Sequence, residues 1–298
     1  MIINKGNLTA LALAFKAAFQ GVLGQAPSQY LEIATVVPST TGAEEYGWLG
    51  SLPNVREWVG DRVVHGITSH GYTIRNKSYE LTVAVPRPAI EDDQYGVYTP
   101  LMAEMGRSMG AHPDQLCYGL LAAGRTEKCY DGQAFFSKTH PVTGANGKDA
   151  NQANLDDSGG ANAYWYVLDT SRALKPLIFQ NRKAPNFVSK TAETDDNVFD
   201  RAEYVYGADR RCNVGFGFWQ LAYASNKTLD AAGLKAAIVA MTSRKGDNGR
   251  PLGINPTVLV VPPTLEFEAR QLLENAVNEA GATNELKGRL KVQVASWL

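Results

Sequence analysis

The sequence predicts an α+β protein, and three stretches predict it. Residues Thr99 to Gly124 carry one long helical pattern, aromatic and β-branched runs between Ala163 and Ala224 read as long antiparallel strands, and Leu229 to Leu298 alternates helix with strand as a compact α/β unit. At 298 residues the chain has length for about two domains, and 44% hydrophobic with 20% charged residues is an ordinary globular composition that can bury a sizeable core. The 29 basic and 30 acidic side chains leave a formal charge of -1, so there is no excess of positive charge to neutralise phosphates, which argues against specific nucleic-acid binding. Cys117, Cys129 and Cys212 are odd in number and widely spaced, as free thiols in a reducing compartment that serve as small buried apolar groups. No run approaches the roughly 20 apolar residues of a membrane span, and a soluble chain is expected.

At the N-terminus Leu8, Leu11, Ala12, Phe15 and Phe19 recur at helical spacing, with Asn7 as N-cap and Gly21 just past the end; Lys16 interrupts any signal-peptide reading. From Ala26 to Leu52 the periodicity fades and turn residues gather, yet Tyr30, Tyr46 and Trp48 are interleaved. That mixture reads as an ordered arm laid over a neighbouring subunit, and the whole of Met1 to Leu52 is expected to be extended, mostly outside its own core and ordered only in the assembly. From Val63 to Val85 the pattern becomes strand-like, with RNKS at Arg75 to Ser78 as the turn of an extended hairpin and Lys77 at its tip.

Thr99 caps the long helix with Pro100 at its first position, and Pro113 predicts a kink. Thr143 to Asn162, rich in Gly, Asn and Asp, reads as an exposed loop. The runs AYWYVLD, KPLIFQ, EYVYG and NVGFGFWQLAY are the strands that follow, with GADRR around Asp209 as a turn. In the terminal unit a helix capped by Thr228 turns Leu234, Ile238 and Met241 inward, GDNG is a turn, and TVLVV is a strand buried on both faces. A second helix carries Leu265, Ala269, Leu272, Leu273 and Ala276 on one side and ends before Gly281, and RLKVQVASWL closes the chain with Leu290, Val292 and Val294 alternating.

Chemical motifs are weak. Cys129 and His140, within CYDGQAFFSKTHP, invite a thiol-protease or zinc reading, but no second Cys or His supplies ligand spacing and the motif shows no third, orienting group. The acidic runs Glu91 to Asp93 and Glu193 to Asp200 lack the Gly-centred spacing of a calcium loop. GFGFW at Gly215 to Trp219 lacks the third glycine and following helix of a dinucleotide fingerprint, and reads instead as a strand with small residues for close packing. No catalytic, cofactor or metal site is expected.

The blocks EYGWLGSLPNVREWVGDR, HGYTIRNKSYELTV, EDDQYGVYTPLMAEMGRSMG, CYDGQAFFSKTHPV, LDTSRALKPLIFQNRKAP, VGFGFWQLA and PLGINPTVLVVPPTLE, in that order, resemble the major head subunit of Mu-like phages and prophages. The resemblance covers nearly the whole chain. It implies the HK97-like capsid fold: an N-arm at 1–54, an E-loop at 55–95, a peripheral domain at 96–225 with its spine helix at 99–124, and an axial domain at 226–298, which part of 143–180 is free to join. It implies hexamers and pentamers of the chain itself in an icosahedral virion shell enclosing double-stranded DNA. The partners it implies are a portal, a separate scaffold and maturation protease, optionally a decoration protein, and no membrane. Candidate subunit contacts are Tyr46, Trp48, Arg56, Glu57, Trp58, Asp61, Arg62, Arg75 and Lys77, the paired charges setting register between neighbours.

Two further expectations concern Lys77 and the chain order. Lys77 is expected to be structural or to contact a neighbour without a covalent cross-link. The axial-like unit follows the peripheral strands rather than preceding them, which a circular permutation explains; the end of the last strand should then lie near the start of the strand at Tyr164 to Leu168. The alternatives are a soluble homo-oligomeric enzyme, with its site where a helix follows TVLVVPP, and a tail-tube or baseplate component, which the spine-length helix disfavours.

Overall fold

Asn4 opens the first helix, α1 (Lys5–Leu23), by accepting the Asn7 amide on its side chain at 2.8 Å, three residues before the expected cap, and the helix runs past Gly21. It begins a computed structural model that describes residues 4–25, 28–47, 49, 71–92, 96–144, 148–277 and 281–298. By length and composition α1 could cross a membrane, but its Leu8, Phe15 and Phe19 stripe is buried against the rest of the chain. A short turn α2 (Tyr30–Ile33) leads into β1 (Ala34–Pro38) and β2 (Ala43–Glu45); β3 (Thr73–Arg75), β4 (Lys77–Pro86) and α3 (Arg87–Glu91) follow.

These elements correct the expectation of an arm outside its own core. Leu8, Phe15, Phe19, Ile33, Ala34, Tyr46 and Leu49 are all buried within the chain. Composition missed this because the five-residue apolar stripe of an isolated helix does not reveal what it docks on. The partner is the spine helix, α4 (Thr99–Ala123), whose Met102, Met105 and Met109 line the same cluster. Gly106 allows the crossing: a Cβ there would land against the Phe19 carbonyl oxygen, inside van der Waals contact, so only glycine lets the two backbones approach.

The 25 residues of α4 run without a break through Pro113, at about 37 Å for ~1.5 Å per residue. Proline has no N–H for the Met109 carbonyl four residues back. Arg210 replaces it: its Nη1 donates to the Met109 oxygen at 3.2 Å from a buried position beneath the helix. The lost backbone bond is thus restored by a side chain. One turn on, buried Asp114 accepts the amides of Gln29 (2.9 Å) and Tyr30 (2.6 Å), capping α2 and tying the arm to the spine. Burial pushes the Asp114 carboxyl up, and the Gln29, Tyr30 and Ser28 hydrogen bonds pull the other way.

After the spine, β5 (His140–Thr143), β6 (Asp149–Gln152) and β7 (Leu155–Asp156) place strands in about a third of the segment expected to be an exposed loop, and residues 158–162 are exposed as expected. The order comes from Asn154, fully buried, whose side chain accepts the Ser137 amide at 2.8 Å and donates to the Phe135 carbonyl at 2.7 Å. Then come β8 (Trp165–Leu168), β9 (Leu177–Lys190), α5 (Asp196–Arg201), β10 (Glu203–Phe216), β11 (Ala222–Ser225), α6 (Ala231–Thr242), β12 (Val258–Val261), α7 (Glu266–Glu274) and β13 (Lys291–Val294).

Two larger sheets take nine of these strands, while β2 with β3 and β5 with β6 form separate two-stranded pairs. The first has the order β1-β9-β10-β4, with β1 parallel to β9 and the other pairs antiparallel, and α4 lies over one of its faces. Two expected turns lie inside its strands. GADRR is mid-β10, where Asp209 to Cys212 forms a bulge against β9, and the polar run is tolerated because alternate residues face solvent. RNKS is no hairpin turn either: β3 pairs with β2, Asn76 switches sheets, and Lys77 starts β4 opposite Cys212, away from any tip. The glycines of GFGFW do permit close approach, since a Cβ at Gly215 would strike Ile74 and one at Gly217 would stand 2.5 Å from the Lys175 carbonyl oxygen.

The second sheet has the order β13-β12-β8-β11-β7, with α6 and α7 packed on it. The cap of α6 is Asp230 rather than Thr228, accepting the Gly233 amide at 2.7 Å. All of β12 is buried. In β13 the inward residue is Gln293, while Val292 and Val294 are half-buried, and α7 stops at Glu274 with Ala276 exposed. Val294 ends β13 beside Val261, and Val260 stands beside Tyr166 of β8, so the last strand finishes at the end of the sheet where β8 starts, one strand away. A permuted chain order requires that placement.

The Gly106 crossing makes a paired prediction. Gly106→Ala should cost about 1 to 3 kcal/mol, because the methyl has nowhere to go. Gly119→Ala, in the same helix with open space around its Cβ, should stabilise by up to about 1 kcal/mol. Denaturant unfolding of both variants checks the opposite signs.

Candidate functional site

Cys129, Asp131 and His140 come together as sequence spacing alone did not show. Asp131 is the orienting group that seemed missing: its Oδ2 lies 2.6 Å from His140 Nδ1, and its Oδ1 accepts from the Cys129 thiol at 3.1 Å. His140 is fully buried, stacked on Trp219 at 3.9 Å, and its Nε2 faces the Phe135 carbonyl and Asn154 Oδ1. The imidazole is thus enclosed by acceptors on both nitrogens. Burial pushes the Cys129 thiol far up, and the adjacent Asp131 charge adds to this, so no thiolate is available as a nucleophile. Burial would raise Asp131 too, but the hydrogen bonds from His140 and Cys129 hold it below the usual carboxylate range.

The same three side chains offer one sulfur, one oxygen and one nitrogen within 4.8 Å of one another. A tetrahedral zinc with ~2.0 Å bonds keeps its ligand atoms about 3.3 Å apart. The 2.6 Å Asp131 to His140 contact is a hydrogen bond that a shared ion would have to break open. The cluster is a structural knot joining the loop after α4 to β5. The helix after β12 fares no better as an anion site, because its first turn presents Glu266 and Glu268.

The remaining candidate is the root of the segment 50–70. Trp48, Arg56, Glu57, Trp58, Asp61 and Arg62 lie outside the described residues. Tyr46, Arg75 and Lys77 frame the root. Tyr46, proposed as a subunit contact, is turned into its own chain: it is buried, its hydroxyl donates to Gln180 Oε1 at 2.9 Å, and burial raises its pKa to about 12. Gln180 Nε2 in turn donates to the Ile74 carbonyl at 3.1 Å and Asn76 Oδ1 at 2.8 Å, and Asn76 Nδ2 donates to Ser39 Oγ at 2.8 Å. One buried amide therefore fixes β1, β3 and β9 together. Arg75 and Lys77 are exposed on this platform.

Glu44 completes the root. It accepts from Ser39 Oγ (2.8 Å), the Thr40 amide (2.9 Å) and both the amide and the hydroxyl of Thr41, and these bonds lower its pKa to about 2. Sequence reading missed Glu44, Gln180, Asp114 and Arg210, since single polar residues among apolar or turn residues carry no periodic signal. Asn154 was hidden in a run whose composition matches a loop.

The chain matches the family described as Mu-like prophage major head subunit gpT over residues 8–298. It is 44% identical over 305 aligned positions to the major capsid protein of Escherichia phage Mu, covering 100% of both chains, and 47% identical over 300 to the Mu-like prophage FluMu major head subunit of Haemophilus influenzae, covering 97% of each. A chain from the procapsid of bacteriophage JBD30 superposes with a TM-score of 0.87 at 47% identity, covering 99% of this chain and 100% of that one. A chain from the JBD30 capsid gives 0.80 at 35%, covering 100% and 99%. The chain belongs to the Mu-like major head subunit family and has the HK97-like capsid fold. That family is structural, and the enzyme alternative has no support.

The Glu44 geometry sets an acid response for the loop root. A folded-state pKa near 2, against the usual 4.5, means the carboxylate stabilises the fold above about pH 4.5 and loses that effect as pH falls toward 2. Glu44→Gln should lower the melting temperature at pH 7 and converge with the wild type near pH 2, as thermal melts across that range will show.

Proposed function

We propose that the chain is the major building block of an icosahedral virion head, assembling with itself as hexamers and pentamers around packaged double-stranded DNA. The observation that carries this is the full-length membership in a family of head subunits. The mechanism is mechanical. Long segments overlap neighbours, so many modest contacts add, and lattice closure makes each subunit hold several others. Weak single contacts also let misplaced subunits leave and rebind.

In this reading Trp48 and Trp58 supply apolar contact to an adjacent subunit, and Arg56, Glu57, Asp61 and Arg62 set register with it. Arg75 and Lys77 project at the root, where a neighbour meets it. A portal, a separate scaffold and a maturation protease complete the assembly pathway. One JBD30 capsid structure is decorated with minor capsid protein trimers, and a similar decoration fits this shell.

Electron microscopy of the expressed chain, alone and with a scaffold, tests the proposal. Closed shells or curved lattices are expected, whereas discrete small oligomers under every condition would contradict it. Lys77, the first residue of the edge strand β4 rather than a loop tip, is structural or makes its contact noncovalently. Denaturing gels of mature particles should therefore show a single band near 32.3 kDa, and a ladder of multimers would refute this.

A further inference from the structure

His112 lies in α4 directly before Pro113, where the spine helix lacks a backbone bond. Its ring meets Tyr79 of β4 edge-on, with the centroids 4.3 Å apart. Tyr79 is the cross-strand neighbour of Arg210 in the pairing of β4 with β10, so the two side chains stand side by side on the face that α4 covers, beneath His112. Two buried polar atoms here have no hydrogen-bond partner: His112 Nδ1 and Arg210 Nε. A neutral imidazole with its proton on Nε2 offers Nδ1 as an acceptor, and a guanidinium nitrogen only donates. The two groups are therefore complementary only while His112 is neutral.

No carboxylate balances a second charge at this spot. The titratable and charged groups gathered here are Tyr79 from β4, Arg210 and Cys212 from β10, Cys117 and Asp114 from α4, and Tyr30 from α2; β9 adds the Phe179 ring, 5.4 Å from the guanidinium. Asp114 turns its carboxylate to the Gln29 and Tyr30 amides, and Arg210 forms no salt bridge among the described residues. Burial raises both tyrosines and both cysteines, which stay neutral. A proton on His112 would thus set two cations against each other in a half-dry pocket.

The walls of that pocket are unequal. β10 is paired on both sides, and α4 is held by the Gly106 crossing and by Asp114. β4 is the edge strand, paired with β10 alone among the described strands, and Tyr79 is only half-buried. β4 is the wall that can move.

We propose that His112 is a proton-operated latch on β4: neutral, it holds the Tyr79 end of the strand under the spine helix, and protonated, it drives that end off β10 so that the imidazolium and Arg210 reach water. Burial pushes the His112 pKa down to about 4, and the Arg210 charge adds to this. The opened state binds more protons between pH 4 and the ordinary 6.5, so the latch is fully closed above about pH 6.5 and weakens as pH falls toward 4. Glu44 acts in a lower window, below about pH 4.5.

Native-state hydrogen exchange of the unassembled full-length chain from pH 7 to 4.5, corrected for the intrinsic pH dependence of exchange, tests this. In the wild type the opening constant of amides 78–82 should rise by up to about tenfold per pH unit below 6.5, while those of β12 stay unchanged. In His112→Phe and in His112→Gln, which keeps a polar side chain without a titrating proton, the same amides should be insensitive to pH in this window. A flat wild-type profile, a pH response that survives in either variant, or acid opening of β12 to the same extent as β4 overturns the proposal.

Discussion

Everything in the peripheral half of this subunit depends on how the spine helix is held along its length. Three contacts hold it, each of a different kind. At Gly106 a missing side chain lets the arm helix α1 reach backbone contact. At Met109 a buried guanidinium supplies the donor that Pro113 removed. At Asp114 a buried carboxylate binds two amides of the arm. A charged group inside a fold is expensive unless its polar atoms are partnered. Here Arg210 and Asp114 are both spent on backbone groups that would otherwise be orphaned, so each charge does structural work within about two turns of one helix.

The consequence is a subunit whose arm is part of its core before any neighbour arrives. β1 adds to the edge of the peripheral sheet in parallel with β9, and Lys291 of β13 pairs with Glu32 of α2 at 2.8 Å, so the arm also touches the axial-like unit. Assembly then requires less ordering of chain, and more of the contact energy remains for association. The buried amide Gln180 does for the loop root what Asp114 does for the arm, fixing several strands at one point.

Much of this fold was legible in the sequence. The spine helix, both terminal-unit helices, the buried strand β12 and the close-packing glycines of GFGFW all announced themselves through spacing or composition, because each is a local property of a run of residues. What failed were the places where one long-range partner overrides local composition. GADRR looks like a turn but is carried through β10 by pairing on both sides, RNKS looks like a hairpin tip but is pinned by Asn76, and the Gly, Asn and Asp-rich stretch after β5 is held by long-range partners such as Asn154 and the β5–β6 pairing. Among the candidate contacts Arg75 and Lys77 are exposed, while Tyr46 found a hydrogen-bond partner 134 residues away that no local pattern could reveal.

The central claim, that the spine helix holds the arm in place within an isolated subunit, is tested most directly by native-state hydrogen exchange on the unassembled chain. Amides of α1 and of residues 29–37 should exchange slowly in the wild type. In Asp114→Ala those of residues 29–37 should speed up markedly, while α1, held at Gly106, stays protected. Exchange of α1 and residues 29–37 at unstructured rates in the wild-type subunit would contradict the account.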